Sequence, residues 1–227
     1  MQTFNAYHAN RTPAAVTMRG AANLPPLREP AISSSRRTFE RGEEIFAEGE
    51  ACNVFYKVIS GTVRTGKLLS DGRRQIDAFH FAGDVFGLEG GALHRFTAEA
   101  VDKVTVAVFR RGSAGSLVKA DPVFGEQLMT AMLSNLDRAH DHMVLLGRKT
   151  ALEKMASFLM DVADRHADVE RAELAMQRTD IADHLGLTIE TVSRTLTQMV
   201  KDGLIRLANA GRTVILSDKA ALRLLCA

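Results

Sequence analysis

The stretch Thr-Ile-Glu-Thr-Val-Ser-Arg-Thr-Leu-Thr-Gln-Met-Val-Lys-Asp at residues 188–202 constrains this chain more than any other. At helical spacing, Val192, Leu196, Met199 and Val200 form an apolar stripe, and Ile189, Glu190, Ser193, Arg194 and Thr197 recur on the other side. Such a helix must be held by one face and free on the other. Just before it, Thr179 is expected to cap a short helix, with Asp180 in its first turn where the helix dipole favours negative charge. Ile181, Ala182 and Leu185 face inward, Gly186 ends the helix, Leu187 anchors the turn and Thr188 caps the next helix. The pattern predicts two helices joined by a short turn.

The outer face carries side chains suited to a major groove. Arg donates two hydrogen bonds to guanine O6 and N7, Glu accepts from cytosine N4, and Ser reads either kind of group. They lie near the helix N-terminus, the end that enters the groove in helix-turn-helix proteins. Ile189, Glu190, Ser193 and Arg194 are therefore the candidate base-reading residues, and Glu190 and Arg194, four apart, can hold each other. The plainer reading is a solvated helix face with one ion pair. The residues after the helix weigh against it: Gly203-Leu204-Ile205-Arg206-Leu207 enters a strand, Asn209-Ala210-Gly211-Arg212 turns, and Thr213-Val214-Ile215-Leu216 returns. A β-hairpin wing comes directly after a recognition helix. Residues 188–227 hold six bases (194, 201, 206, 212, 219, 223) against three acids (190, 202, 218), although the whole chain is only +2. Thr179, Thr188, Thr197, Lys201, Arg206 and Arg212 are the candidate phosphate-positioning residues on double-stranded DNA.

Upstream, residues 39–109 are punctuated by glycines around β-rich runs such as Val54–Ile59 and Val104–Phe109, with Asp71-Gly72 as a hairpin turn. Many short strands with Gly turns predict a small barrel or roll. Asp121-Pro122 then opens a helix, and Met129, Met132, Leu136, Ala139, Met143 and Leu146 succeed it as an unbroken heptad seam up to a break at Gly147. The seam is expected to pair with a second copy in a parallel homodimer; packing on the chain's own barrel is the alternative. Thr150-Ala151-Leu152-Glu153 forms a capping box for a helix to about Asp164, and a connector with possible short strands spans 165–177. The expected α+β order is a flexible arm over 1–32, a roll over 33–112, a dimerisation helix region over 113–147 and a winged helix-turn-helix over 148–227.

With 46% hydrophobic and 25% charged residues in 227, the chain is globular, and no apolar run is long enough to span a membrane. Its two cysteines suit a reducing cytosol and cannot build a disulfide framework or a thiolate cage. No hydrolase elbow or P-loop is present, so no catalytic residue, metal ligand or cofactor is assigned. His140 and His142, two apart, diverge on their helix and read as solvated surface. His80 and His94 could meet inside a roll. Cys52 reads as a small semi-apolar residue and penultimate Cys226 as frayed. Asp183 shares a face with Asp180; if that face approaches phosphate, Asp183→Ser should tighten DNA binding.

A Gly-punctuated roll, a long helix and a winged helix-turn-helix, in that order over about residues 33–225, resemble the CRP/FNR family of bacterial transcription regulators, whose roll is a cyclic-nucleotide-binding-like double-stranded β-helix. Phe81-Ala82-Gly83-Asp84-Val85-Phe86-Gly87 and Thr179 through Gly203 carry the resemblance. Glu190-Thr191-Val192-Ser193-Arg194 looks like the Glu-x-x-Ser-Arg signature of the FNR branch, which implies that Glu190, Ser193 and Arg194 read a palindromic TTGA…TCAA box. The similarity is greatest to FixK-type regulators of microaerobic and nitrogen-fixation genes. It implies an activator that recruits RNA polymerase, with the exposed turn Ser70-Asp71-Gly72-Arg73 as a polymerase contact. The departures matter too. The roll holds only Cys52, against the four cysteines of cluster-binding members. Gly87-Leu88-Glu89 and Arg95-Phe96-Thr97 replace the cyclic-AMP cassette, which points to a protein controlled by its own abundance. An effector-gated regulator, and a metal-dependent roll enzyme with an interaction module, are the alternatives.

Overall fold

Val63, Arg64, Thr65 and Gly66 alternate between buried and half-buried, as a strand with one inner face requires, whereas Phe55 to Val58 are all buried, so that segment is covered on both faces. In the computed structural model, residues 35–165 and 170–226 are described; the expected arm lies outside them. Eight strands form two four-stranded antiparallel sheets. They are β1 (Ser35–Phe39), β2 (Glu44–Phe46), β3 (Val54–Ser60), β4 (Val63–Leu68), β5 (Arg74–His80), β6 (Val85–Phe86), β7 (Thr97–Ala100) and β8 (Val104–Arg110). The sheet orders are β1-β8-β3-β6 and β2-β7-β4-β5. Ile45, Phe46, Tyr56, Val58, Val63, Phe86, Ala98, Ala100, Val104 and Val106 fill the space between them. The β4–β5 hairpin turns at Asp71-Gly72, where Gly72 takes φ +84°.

The roll interior is a stack of rings. Phe46 lies 3.7 Å from the His94 ring and 5.7 Å from Tyr56, and Phe86 lies 5.1 Å from both Tyr56 and His80. Gly87 passes so close that a methyl there would meet Tyr56 at 3.1 Å and Phe46 at 3.3 Å. His80 and His94 do not share a site. His80 Nε2 meets Thr65 Oγ1 at 3.1 Å, and His94 Nδ1 meets Glu89 at 3.2 Å.

The chain leaves the roll through a 3-10 turn and a short helix α1 (Ala114–Ala120), then enters α2 (Pro122–Arg148). Asp121 caps α2 by accepting from Phe124 N at 3.1 Å, with Pro122 at the first position. The helix runs through Gly147; the break falls at Lys149 and Thr150 instead. There Thr150 and Glu153 close the capping box of α3 (Ala151–Asp164).

Helix α2 presents one face to the roll and leaves another exposed. Phe124 and Leu128 are buried against Phe55, Val85, Ala107 and Phe109 of the roll, worth about 1.5–3 kcal/mol each. Met129, Met132, Leu136, Ala139 and Met143 instead point away and are exposed, with Leu133 and Val144 beside them. Leu146 leaves the expected seam: it is half-buried and packs on the C-terminal core, because α2 ends inside that core with Leu145. His142 is not solvated surface. Its ring stacks on His184 at 4.1 Å.

The C-terminal part contains β9 (Arg171–Glu173), α4 (Arg178–Leu185), α5 (Ile189–Lys201), β10 (Ile205–Ala208), β11 (Thr213–Leu216) and α6 (Lys219–Cys226). Its sheet order is β10-β11-β9. Cys226 is not frayed: it ends α6, its carbonyl accepts from Lys149 Nζ, and burial pushes its thiol pKa up.

His80 is buried, and burial pushes its pKa down to about 4. The folded protein therefore holds it neutral, whereas the unfolded chain protonates it below about pH 6.5. Its contribution to stability is lost as pH falls from there towards the folded value. Between pH 7.5 and 5.5, His80→Gln should lose about 1.4 kcal/mol less unfolding free energy than the parent, measured by urea titration at each pH.

Candidate nucleic-acid interface

The two helices of the turn are set by backbone needs. α4 ends where Gly186 adopts φ +61°, ψ +43°, and the Leu187 N–H returns to the Ala182 carbonyl at 3.0 Å. The expected Thr179 cap is displaced: Gln177 is the cap, and the Asp180 carboxylate accepts from Gln177 N at 3.2 Å, leaving Thr179 exposed in the first turn. Thr188 caps α5 as its sequence suggests, accepting from Thr191 N at 3.2 Å.

The faces of α5 divide almost as their periodicity requires. Val192, Leu196 and Met199 are buried, joined by Thr195; Val200 is exposed and does not belong to the stripe. Ile189, Glu190, Arg194 and Thr197 are exposed, and Ser193 is half-buried. Of the five, only Ser193 is partly covered, by Arg178 of the preceding helix.

Electrostatics favour acceptor and donor roles on this face. Hydrogen bonds from the Glu190 backbone N–H and the Thr188 hydroxyl hold the Glu190 carboxyl below its ordinary pKa, and Arg194 adds to this. Glu190 is thus an acceptor at neutral pH, as reading of cytosine N4 requires. Among the described residues it forms no ion pair with Arg194, which is exposed. Thr197 donates its hydroxyl to the Ser193 carbonyl at 2.9 Å and so presents only acceptor capacity outward.

Lys201, Arg206 and Arg212 are all exposed, on the end of α5, on β10 and beyond the wing turn. The wing pairs Ile205 with Leu216 and Ala208 with Thr213, and its turn runs through Asn209, Ala210 and Gly211 at positive φ. One further cation belongs to the same surface. Arg178, at the first position of α4, donates from Nη1 to Ser193 Oγ at 3.2 Å, and its other arm lies against the wing at Gly211. In sequence it resembles any exposed helix-start arginine, because nothing local reveals that α5 and the wing converge on it.

The Asp180/Asp183 face of α4 does not point to solvent. Asp183 receives Arg74 Nε at 2.8 Å, and Asp180 receives Arg74 at 2.5 Å and Arg64 at 3.0 Å, both from the roll. The premise that Asp183 confronts phosphate therefore fails: it is already half-buried against a cation of its own chain.

A family model of the Crp-like helix-turn-helix domain matches residues 153–225, and one of the cyclic nucleotide-binding domain matches residues 36–121. The nitrogen fixation regulation protein FixK of Azorhizobium caulinodans is 44% identical over 203 residues, covering 87% of this chain and 82% of that protein. The chain belongs to the CRP/FNR family. FixK of Rhizobium meliloti is 41% identical, covering 83% of this chain and 86% of that protein. The solved structure of FixK2 from Bradyrhizobium japonicum superposes with a TM-score of 0.80 at 42% identity, covering 86% of this chain and 98% of that one. As a CRP/FNR protein the chain is a DNA-binding transcription regulator and not an enzyme. No helix among its described residues is long and apolar enough to cross a membrane.

In this CRP/FNR protein, Arg194 is exposed on the outer face of α5 and Arg212 is exposed just after the wing turn. Arg194→Ala should cost about 1–3 kcal/mol of discrimination and relax one guanine position. Arg212→Ala should weaken all sequences alike and reduce the salt slope by about one. Binding titrations against single-base operator variants at several salt concentrations separate the two.

Proposed function

We propose that the protein is a homodimeric activator that places two copies of α5 in successive major grooves of a TTGA…TCAA palindrome. The grooves lie roughly 34 Å apart. Glu190, Ser193 and Arg194 read bases, with Ile189 as the apolar contact. Thr179, Thr188, Thr197, Lys201, Arg206 and Arg212 set the register on phosphate, joined by Arg178. One observation carries this reading: α5 is anchored by Val192, Leu196 and Met199 while its hydrogen-bonding face stands open.

The two-fold partner is a second copy. The α2 stripe exposes Met129, Met132, Leu133, Leu136, Met143 and Val144, each between 46% and 64% accessible. An apolar band of this kind marks a protein contact, and its heptad spacing suits a parallel helix pair. The partner's stripe would start at Met129 and end at Met143, with Leu146 kept for the C-terminal core.

RNA polymerase is recruited through the β4–β5 turn, where Ser70, Asp71, Gly72 and Arg73 are exposed and Leu68 beside them is 69% accessible. Nitrogen fixation regulation, the role in the names of its FixK relatives, is the regulon this reading assigns. It places the protein with the chromosome in the cytoplasm. The ring stack inside the roll supports control by abundance, since an effector would have to displace Phe46, Tyr56 and His94.

Leu136→Glu places a charge in the centre of the seam. It should convert a dimer to a monomer by light scattering and abolish the footprint on a TTGA…TCAA duplex. A dimer that survives the change removes the seam from this reading.

A further inference from the structure

The covalent joint between the dimer helix and the DNA-binding part is short. α2 stops at Arg148, Lys149 turns to φ −89°, ψ +146°, and α3 begins at Ala151. Such a joint does not by itself fix the direction of the DNA-binding part. Yet a dimer reads two half-sites at once only if both α5 helices are held at one separation; when geometry forbids simultaneous engagement, the gain from the second contact is lost.

Noncovalent contacts supply the missing constraint at three different elements. Leu145 and Leu146 of α2 enter the C-terminal core. Helix α4 docks along its length on the β4–β5 strands of the roll. There Arg64 and Arg74 hold Asp180, Arg74 also holds Asp183, the Gln75 amide donates to the His184 carbonyl at 3.3 Å, and His184 Nδ1 meets the Ile76 carbonyl at 3.2 Å. The end of α3 docks on the turn before β6. There Arg165 pairs with Asp84, donates to the Phe79 carbonyl at 3.1 Å and lies 4.6 Å over the Phe81 ring, while Arg138 of α2 approaches Asp84 at 3.5 Å. The two ionic contacts have opposite polarity: the roll supplies cations to α4 and an anion to α3. Sliding or rotating the DNA-binding part brings like charges together, which penalises any other orientation. Between them Phe79, Phe158, His184 and His142 pack ring against ring.

We propose that Arg64 and Arg74 are positioning residues for operator recognition: from the roll they clamp α4 through Asp180 and Asp183, and thereby set the separation of the two recognition helices in the dimer. This rests on the reading of the protein as a dimer on a palindrome. Neither arginine belongs to the DNA-facing surface, so the effect is on the geometry of two half-sites and not on the affinity for one.

The test uses the full-length protein and three duplexes: a TTGA…TCAA palindrome, the same palindrome with two base pairs inserted between the half-sites, and a single half-site. Arg74→Gln and Asp183→Asn are the variants, both at partly exposed positions that tolerate change; Arg74→Lys is the conservative control. The parent should prefer the palindrome strongly over both other duplexes. Each variant should lose about tenfold on the palindrome, a loss equivalent to 1.4 kcal/mol, keep its half-site affinity, and show a smaller penalty for the insertion. Arg74→Lys should recover most of the palindrome affinity. Variants that keep the parent's spacing preference overturn the clamp and leave the dimer reading intact. Variants that lose palindrome and half-site binding equally also overturn it, since the change then acts on folding or on the DNA face; melting temperatures say which. A parent protein that does not distinguish palindrome from half-site overturns the dimer reading and the clamp with it.

Discussion

Everything in this molecule depends on how the 27-residue helix α2 divides its apolar surface. Phe124 and Leu128 are committed to the roll, Leu145 and Leu146 to the C-terminal core, and the remaining methionines and leucines are left in water. A helix of this length spans about 40 Å at 1.5 Å per residue, so it fixes the roll at one end and the DNA-binding part at the other. It contributes buried side chains to both parts. Because two faces are already committed, the third has no use within the chain. The exposed stripe is thus a consequence of how the other two are satisfied.

The same division governs α5. Val192, Leu196 and Met199 anchor it, and the opposite face therefore cannot be needed for stability. That separation leaves Glu190 and Arg194 exposed and free for the recognition role proposed above. The wing and Arg178 bring positive charge to the rim of that face, while Asp180 and Asp183, on the neighbouring helix, are removed from it by pairing with the roll. Charge is sorted by orientation rather than by composition, which explains how a chain with a net charge of only +2 offers a basic surface.

Local rules made much of this legible from sequence. Gly186, Thr188, the Thr150–Glu153 box and the Asp121-Pro122 start each announce a helix boundary through a backbone requirement, and the structure places all four where those requirements put them. Contacts between distant segments were not legible. Nothing in the sequence around Asp180 and Asp183 reveals their partners, because Arg64 and Arg74 stand more than 100 residues earlier. His142 looks like surface because its neighbour His184 belongs to another element. Leu146 continues the heptad in register, but the helix meets the C-terminal core one turn before the repeat ends, and burial there overrides periodicity. Thr179 loses the cap to Gln177 because the Asp180 carboxylate serves both the Gln177 N–H and the roll arginines.

That double use of Asp180 links the local and the global levels. One carboxylate oxygen accepts from the start of α4, and the other receives two guanidinium groups from a different domain. A buried anion without partners would be costly, and two cations facing it alone would be nearly as costly. With Asp183 on Arg74 the central members carry two charges of each sign, and Glu99 backs Arg64 at the rim. Balanced in this way, the cluster need not add much stability to be retained. Its value lies in what it forbids: a rotation of α4 that separates Asp180 from Arg64 and Arg74 leaves a buried carboxylate uncompensated. The energetic penalty falls on wrong orientations more than it rewards the right one, and on the proposed reading of two helices presented at one spacing, orientation is the quantity that matters.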